Sequence, residues 1–209
     1  MKLRLMMPAL FCVALMAQEG KNQVRLQYLD MDVTADPLRY RVLVQDFFDA
    51  DTATYVSETD REGIRLSDTL WVKDFFGVDV GVSHLGQGAT LVTAEDHPYK
   101  IVGEMNSVQA GGVLRWRFFE KLDVFGRFSA AYWREEFSLY DLSPPADETG
   151  YVPFDKKLYR RNDQNVETEW ELGLTFDISG GFGVTGSVMS SEAGNMEIDF
   201  VTIGVSYRY

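Results

Sequence analysis

The sequence predicts an all-β fold: an eight-stranded antiparallel up-and-down transmembrane β-barrel with short turns at one end and long loops at the other. Three observations predict it. Hydropathy alternates with a period of two across eight segments, the connections between them alternate between short and long, and the polar face of the segments carries nearly balanced charge. The chain has 209 residues, 45% of them apolar, enough for one domain. No apolar run reaches ~18 residues, so a helical multi-pass membrane protein is excluded. Eighteen Gly against six Pro is not the composition of a disordered or collagen-like chain. A net charge of −12 repels nucleic acid, so no nucleic-acid partner is expected. The one cysteine, Cys12, leaves the rest of the chain without a thiol, which excludes disulfides, Cys-based zinc and a cysteine nucleophile there.

Residues 1–17 read as a signal peptide. Lys2 and Arg4 form a short basic region, and Leu5 to Ala17 is apolar before polarity returns at Gln18-Glu19-Gly20. That stretch is too short to span a bilayer but fits the apolar region of an export signal, with the small Ala17 just before the cut. Phe11 before Cys12 is too bulky for the usual lipidation site. Residues 18–37 are then expected to be a periplasmic lead-in and residues 38–209 the barrel. Within the lead-in, residues 24–33 (VRLQYLDMDV) alternate too, but a strand there would make nine.

The barrel segments follow in order. Leu38, Tyr40, Val42 and Val44 alternate with Arg39 and Arg41. Ile64, Leu66, Leu70 and Val72 oppose Arg65, Ser67 and Thr69, and Phe76, Val78, Val80 and Val82 oppose Asp79 and Ser83. Val108, Ala110, Leu114 and Trp116 oppose Arg115 and Arg117; Leu122, Val124, Phe128 and Tyr132 oppose Asp123 and Arg127. Val166, Trp170, Leu172, Leu174 and Phe176 oppose Glu167, Glu169, Glu171 and Asp177. Phe182, Val184 and Val188 oppose Thr185 and Ser187, and Val201, Ile203, Val205, Tyr207 and Tyr209 oppose Thr202, Ser206 and Arg208. Helical spacing is nearly absent. Lys73-Asp74, Glu120-Lys121 and Gly180-Gly181 read as tight turns. Residues 49–61, 86–106, 134–165 and 190–198 read as longer polar loops. With both termini in the periplasm, every turn falls inside and every loop outside the cell.

Alternation does not say which face points outward, because a soluble barrel holding an apolar ligand shows the same period. Charge chooses. The polar face carries Arg39, Arg41, Arg65, Arg115, Arg117, Arg127 and Arg208 against Asp79, Asp123, Glu167, Glu169, Glu171 and Asp177. A solvated surface has no need of such balance, whereas a narrow lumen does, since each buried unpaired ion costs several kcal/mol. These residues are therefore expected to form a lumenal ion-pair network, and the apolar face to meet lipid. Aromatic residues support that choice. Tyr40, Trp116, Phe118, Tyr207 and Tyr209 fall near the periplasmic ends, and Tyr132 and Trp133 near the outer end, as interfacial girdles require. Asp68 falls on the apolar face near mid-depth, which predicts a β-bulge or a shifted register at that point.

The C-terminal run Val201-Thr202-Ile203-Gly204-Val205-Ser206-Tyr207-Arg208-Tyr209 resembles the terminal signal that the barrel-assembly machinery reads, with Tyr209 where Phe is usual. Val201, Ile203, Val205, Tyr207 and Tyr209 would carry that signal. Glu62 to Gly86 and Glu120 to Trp133 resemble strands of the small OmpA-like outer-membrane barrels. That family commonly has Gly-Tyr where this chain has Asp68-Thr69, and often Glu at the position of Asp79. The resemblance covers about residues 38–209 and implies a barrel in the outer membrane of a Gram-negative bacterium.

Chemistry is sparse. Ser83 and His84 are strand neighbours, so they point to opposite faces and cannot form a nucleophile–base pair. His97 stands in a predicted loop with no serine motif beside it, so the small barrels that modify lipid A are the enzymatic alternative only. No catalytic, cofactor or metal residue is assigned; Asp46, Asp49 and Asp51 read as a solvated acidic loop. The basic cluster of Lys156, Lys157, Arg160 and Arg161 is expected to contact lipopolysaccharide phosphates. Eight strands leave a lumen that side chains fill, so little conductance is expected, with a narrow channel as the alternative. The functional expectation is a monomeric, non-enzymatic structural barrel whose outer loops serve surface interaction or envelope integrity.

Overall fold

A computed structural model describes residues 22–35, 54–57, 61–94, 97–142, 156–193 and 196–209. Nine strands lie among them: β1 (Asn22–Ala35), β2 (Thr54–Ser57), β3 (Arg61–Lys73), β4 (Phe76–Ala94), β5 (His97–Phe119), β6 (Leu122–Asp141), β7 (Lys156–Ser179), β8 (Phe182–Ala193) and β9 (Met196–Arg208). Every sequential neighbour from β3 to β9 pairs antiparallel. β1 pairs with β3 on one side and β9 on the other, which closes a barrel of eight. The short β2 adds to the upper part of β4, with Thr54 opposite Thr93 and Ser57 opposite Thr90.

The first strand corrects the expected boundary. The run assigned to a periplasmic lead-in is β1, so the barrel starts at Asn22 rather than at residue 38. Val24, Leu26 and Tyr28 alternate with Gln23, Arg25 and Gln27, the same two-residue period as elsewhere; the objection that a further strand would make nine misled. The expected strand around residues 38–45, with Arg39 and Arg41, lies outside the described residues, as do residues 1–17 and Asp46, Asp49 and Asp51.

Tight turns close the hairpins at Asp74-Phe75, Glu120-Lys121 and Gly180-Gly181. Gly180 and Gly181 have φ of 60° and 84°, the left-handed pair that a two-residue hairpin of the favoured twist demands. The first and last described residues meet at this end, where Asn22 and Tyr209 exchange backbone hydrogen bonds of 3.1 and 3.0 Å.

The opposite end departs from expectation. Residues 86–94 and 97–106 are strand rather than loop: β4 and β5 stay paired from Leu85–Met105, across a register shift, to Ala94–His97. Most of residues 134–165 is strand as well, β6 and β7 pairing as far as Asp141–Lys156. β8 and β9 remain paired to Ala193–Met196. The barrel therefore has a tall wall, β4 to β7, and a lower one, β8, β9, β1 and β3.

Burial settles which face points where. Leu26, Ile64, Val78, Trp170, Leu172 and Ile203 are exposed, while Arg25, Arg65, Asp79, Arg127, Glu169 and Glu171 are buried inside. Apolar side chains thus cover the outside of the strands, the dress of a barrel in lipid. The alternative of an apolar interior holding a ligand at this level is overturned. Asp68 is also settled. Its strand keeps register without a bulge from Gly63–Leu85 to Trp71–Gly77, and Asp68 points outward, beside Val24 and Val80. It stands level with Tyr207, near the turn end rather than mid-depth. Tyr132 faces outward as expected, but Trp133, its neighbour, points inward and is buried.

Candidate functional site: a sealed lumen

Strand register stacks the inward side chains in three layers. The rim at the turn end is built around Asp123. Arg117 stands opposite it across the β5–β6 ladder and donates Nε to Oδ1 at 2.8 Å. Arg208, from β9, donates Nη2 to Asp123 Oδ2 at 2.7 Å and Nη1 to Asp177 Oδ2 at 3.0 Å. Arg115 lies 3.8 Å from Asp123, its guanidinium 4.0 Å over the Trp71 ring, and donates to the Asp74 carbonyl at 3.1 and 2.7 Å. It thereby ties the β3–β4 turn to the inner wall.

The middle layer is a closed knot. Arg127 bridges Asp79 at 3.0 Å and Glu171 at 2.5 Å. Thr69 donates to the far oxygen of Asp79 at 2.7 Å. Glu171 Oε1 accepts from Ser187 at 2.5 Å and Gln27 at 2.9 Å, and Gln27 also donates to Thr202 at 2.9 Å. Arg65 pairs with Glu169 at 2.5 Å. The sulfur of Met189 sits between the two arginines, 3.6 Å from Arg127 Nη2 and in contact with Arg65 Nη1. Arg25 lies 4.5 Å over the Phe125 ring and donates to Gln23 at 3.4 Å. Gly173 makes room for that ring, since a Cβ there would come within 2.5 Å of Phe125 Cζ. Three guanidinium groups, Arg25, Arg65 and Arg127, thus face three carboxylates, Asp79, Glu169 and Glu171, all buried. Desolvating Arg65 and Arg127 is tolerable because both are paired with these carboxylates, whereas Arg25 makes no ion pair, and its Nε and Nη1 have no hydrogen-bond partner, among the described residues.

Above the knot the lumen turns apolar. Leu29, Leu85, Met105, Trp133, Ile198 and Phe200 pack with Ala131 and Met189 into one buried cluster. Higher on the tall wall, Ile101, Phe137 and Leu139 are also buried, while Glu104 and Glu136 face outward. On this stretch of β5 and β6 apolar side chains thus turn inward and polar ones outward, the reverse of the belt, although Glu135 is buried inside between Trp133 and Phe137.

The remaining predicted residues fall as follows. Glu167 is half-buried, opposite Ala131 and one step above Glu169. Val201, Ile203, Val205, Tyr207 and Tyr209 all face outward along β9. The basic cluster is not in a loop but begins β7. Lys157 is exposed near the Tyr140 ring, Arg160 is exposed and pairs with Glu136, and Lys156 and Arg161 are described through their backbone alone, opposite Asp141 and Phe137. Ser83 points inward and His84 outward, where its Nδ1 meets Asn106 Oδ1 at 2.8 Å. His97 opens β5 rather than lying in a loop. Among the described residues no group of three or more metal-binding side chains comes together. Sequence reading missed Arg25 and Gln27 because it set β1 aside, although their alternation with Leu26 and Tyr28 was the available signal. Alternation placed Ser187 and Thr202 on the polar face, but their partners Glu171 and Gln27, and the role of Met189, had no signal in the sequence.

Closed all-antiparallel sheet, lipid-dressed exterior and charge-filled interior define a transmembrane β-barrel of the small eight-stranded kind. The architecture is that of Ail, the attachment invasion locus protein of Yersinia pestis, whose solved structure is 16% identical with a TM-score of 0.53, covering 92% of this chain and 100% of that one. The same Yersinia protein solved with the heparin analogue sucrose octasulfate gives 17% identity, a TM-score of 0.53 and the same coverage, 92% and 100%. The outer membrane protein OprG from Pseudomonas aeruginosa is 10% identical with a TM-score of 0.51, covering 92% of this chain and 97% of that one. These likenesses are of fold. No family model matches the chain, and no curated protein matches it.

Proposed function

We propose that this protein is a non-enzymatic, structural barrel of the outer membrane of a Gram-negative bacterium, exported by residues 1–17. In this reading the barrel-assembly machinery inserts it as a monomer, reading Val201, Ile203, Val205, Tyr207 and Tyr209, and it needs no cofactor. The observation that carries the reading is the double seal of the lumen, an ion-pair knot around Arg127 under an apolar cluster around Phe200. A body closed in that way offers neither a pore nor a reaction chamber, so its activity belongs to the hairpins that rise from the tall wall. Purified protein in planar bilayers is expected to give no steady conductance. Regular single-channel steps would replace the structural reading with a channel.

Fractionation of expressing cells tests the location. The protein is expected in the outer membrane, with a different gel mobility in boiled and unboiled samples. Lipopolysaccharide is the proposed partner of the basic start of β7, and the sulfated sugar on the Yersinia barrel is in keeping with anion contact on this architecture. Replacing Lys156, Lys157, Arg160 and Arg161 together by Gln should weaken lipopolysaccharide association; unchanged binding would remove that partner.

A further inference from the structure

Two residues at opposite ends of the barrel sequence meet on its outer face. Asp68, on β3, is the carboxylate that faces outward among apolar neighbours, and one of its oxygens, Oδ2, accepts a hydrogen bond from the Tyr209 hydroxyl at 3.1 Å. The other, Oδ1, is shielded and has no hydrogen-bond partner among the described residues. β1 lies between them. Val24 is opposite Asp68 on one side and Tyr207 on the other, so the phenol of the last residue reaches across a whole strand.

The rest of Tyr209 is held in place for that reach. Its backbone exchanges two hydrogen bonds with Asn22, and its ring stacks on Tyr207 at 6.3 Å and 12°. Tyr207 in turn rests 4.5 Å from Phe182 of β8. A continuous row therefore runs from β8 over β9 and β1 to β3, and it crosses the one place where the first and last strands of the barrel join. The chemistry is specific. Near the turn end the Asp68 carboxylate is partly cut off from water, with Oδ1 shielded, and a phenol is the aromatic end group that brings an O–H donor to it. Phenylalanine would keep the ring and leave the carboxylate bare.

We propose that the Tyr209 hydroxyl and Asp68 form a latch across the β9–β1–β3 seam, which holds the closed barrel shut once the last strand has docked. The latch acts on opening of the finished barrel, not on its recognition during assembly. Asp68 is a positioning residue in this device, and the aromatic C-terminus has a second task besides any assembly signal.

The test compares Y209F, D68N, D68L and the double variant D68L/Y209F, each in cells and after refolding in detergent. Two quantities are read: the yield of folded barrel, and the rate at which folded barrel opens in SDS. For Y209F we expect unchanged yield but opening about tenfold faster, the equivalent of one hydrogen bond to a charged group. D68N, which keeps an acceptor, should open only a few-fold faster. Removing the carboxylate as well should cancel the defect, so that D68L/Y209F opens more slowly than Y209F alone. An opening rate for Y209F equal to the parent overturns the latch. So does a double variant whose effect is the product of the single ones. Lower yield of Y209F with an unchanged opening rate assigns Tyr209 to assembly alone and likewise overturns it.

Discussion

The middle and upper layers of the lumen close the same barrel by opposite means. Around Arg127 the seal is ionic: Asp79, Glu171, Thr69, Ser187 and Gln27 surround a single guanidinium and its partners. One layer higher, Leu29, Met105, Trp133 and Phe200 fill the bore chiefly by packing, with Glu135 buried opposite Met105. Met189 belongs to both, a thioether that packs with the apolar cluster and touches the arginines below. The difference teaches where each kind of seal is possible. At the level of the lipid belt the outward positions must be apolar, and the inward ones can then be polar without losing the alternation that holds the register. Above the belt, on β5 and β6, Glu104 and Glu136 face outward while Ile101, Met105 and Phe137 turn inward, with Glu135 buried among them.

The two seals are expected to break differently. Replacing Glu169 by Leu leaves the buried Arg65 without its carboxylate partner and should cost about 3–5 kcal/mol. The double replacement of Arg65 by Met and Glu169 by Leu should recover most of that loss, and denaturant unfolding of both variants beside the parent in detergent would show it. Comparable losses for single and double variants would mean that the ions do not act as a pair. In the apolar layer the F200A variant should cost about 3–4 kcal/mol through the cavity it leaves, with no partner change able to restore it except a larger side chain nearby.

Gly173 probes the floor of the ionic layer. An alanine there meets both Phe125 and Ser187, at 2.5 and 2.6 Å, and the expected loss is about 1–3 kcal/mol with the Phe125 ring displaced from beneath Arg25. The smallest effect is expected at the rim. Arg117 contacts Asp123 as closely as Arg127 contacts Asp79, yet its side chain is 48% exposed. Solvent screening should hold the loss on R117A to about 0.2–1 kcal/mol. A rim substitution that destabilised as much as E169L would erase the distinction between the layers.

How much of this could be read from the sequence follows the same division. In the belt, Glu167, Glu169 and Glu171 alternating with Val166, Trp170 and Leu172 announced both strand and facing. Above the belt the reversal hid the strands. Met105, Trp133 and Phe137 carry the period inward while polar residues face out, and the polar segments resemble loops. The position of Arg25 was visible in its alternation with Leu26 but was rejected on a strand count. Ion-pair partners were not legible at all. Arg127 meets Asp79 across β5, and only the register of three strands brings residues so far apart in sequence together.

The height of the tall wall has a mechanical consequence. From the row of His84 and Asn106 to the pair of Ala94 and His97, β4 and β5 remain hydrogen-bonded for about nine residues. At roughly 3.3 Å per residue that is a stiff arm of about 30 Å along the strands. Its tip is joined to the sealed body by a ladder rather than by a tether. Whatever the tip meets is met at a fixed distance and angle from the membrane, so sequence change at the tip can alter what is touched without altering where touching happens.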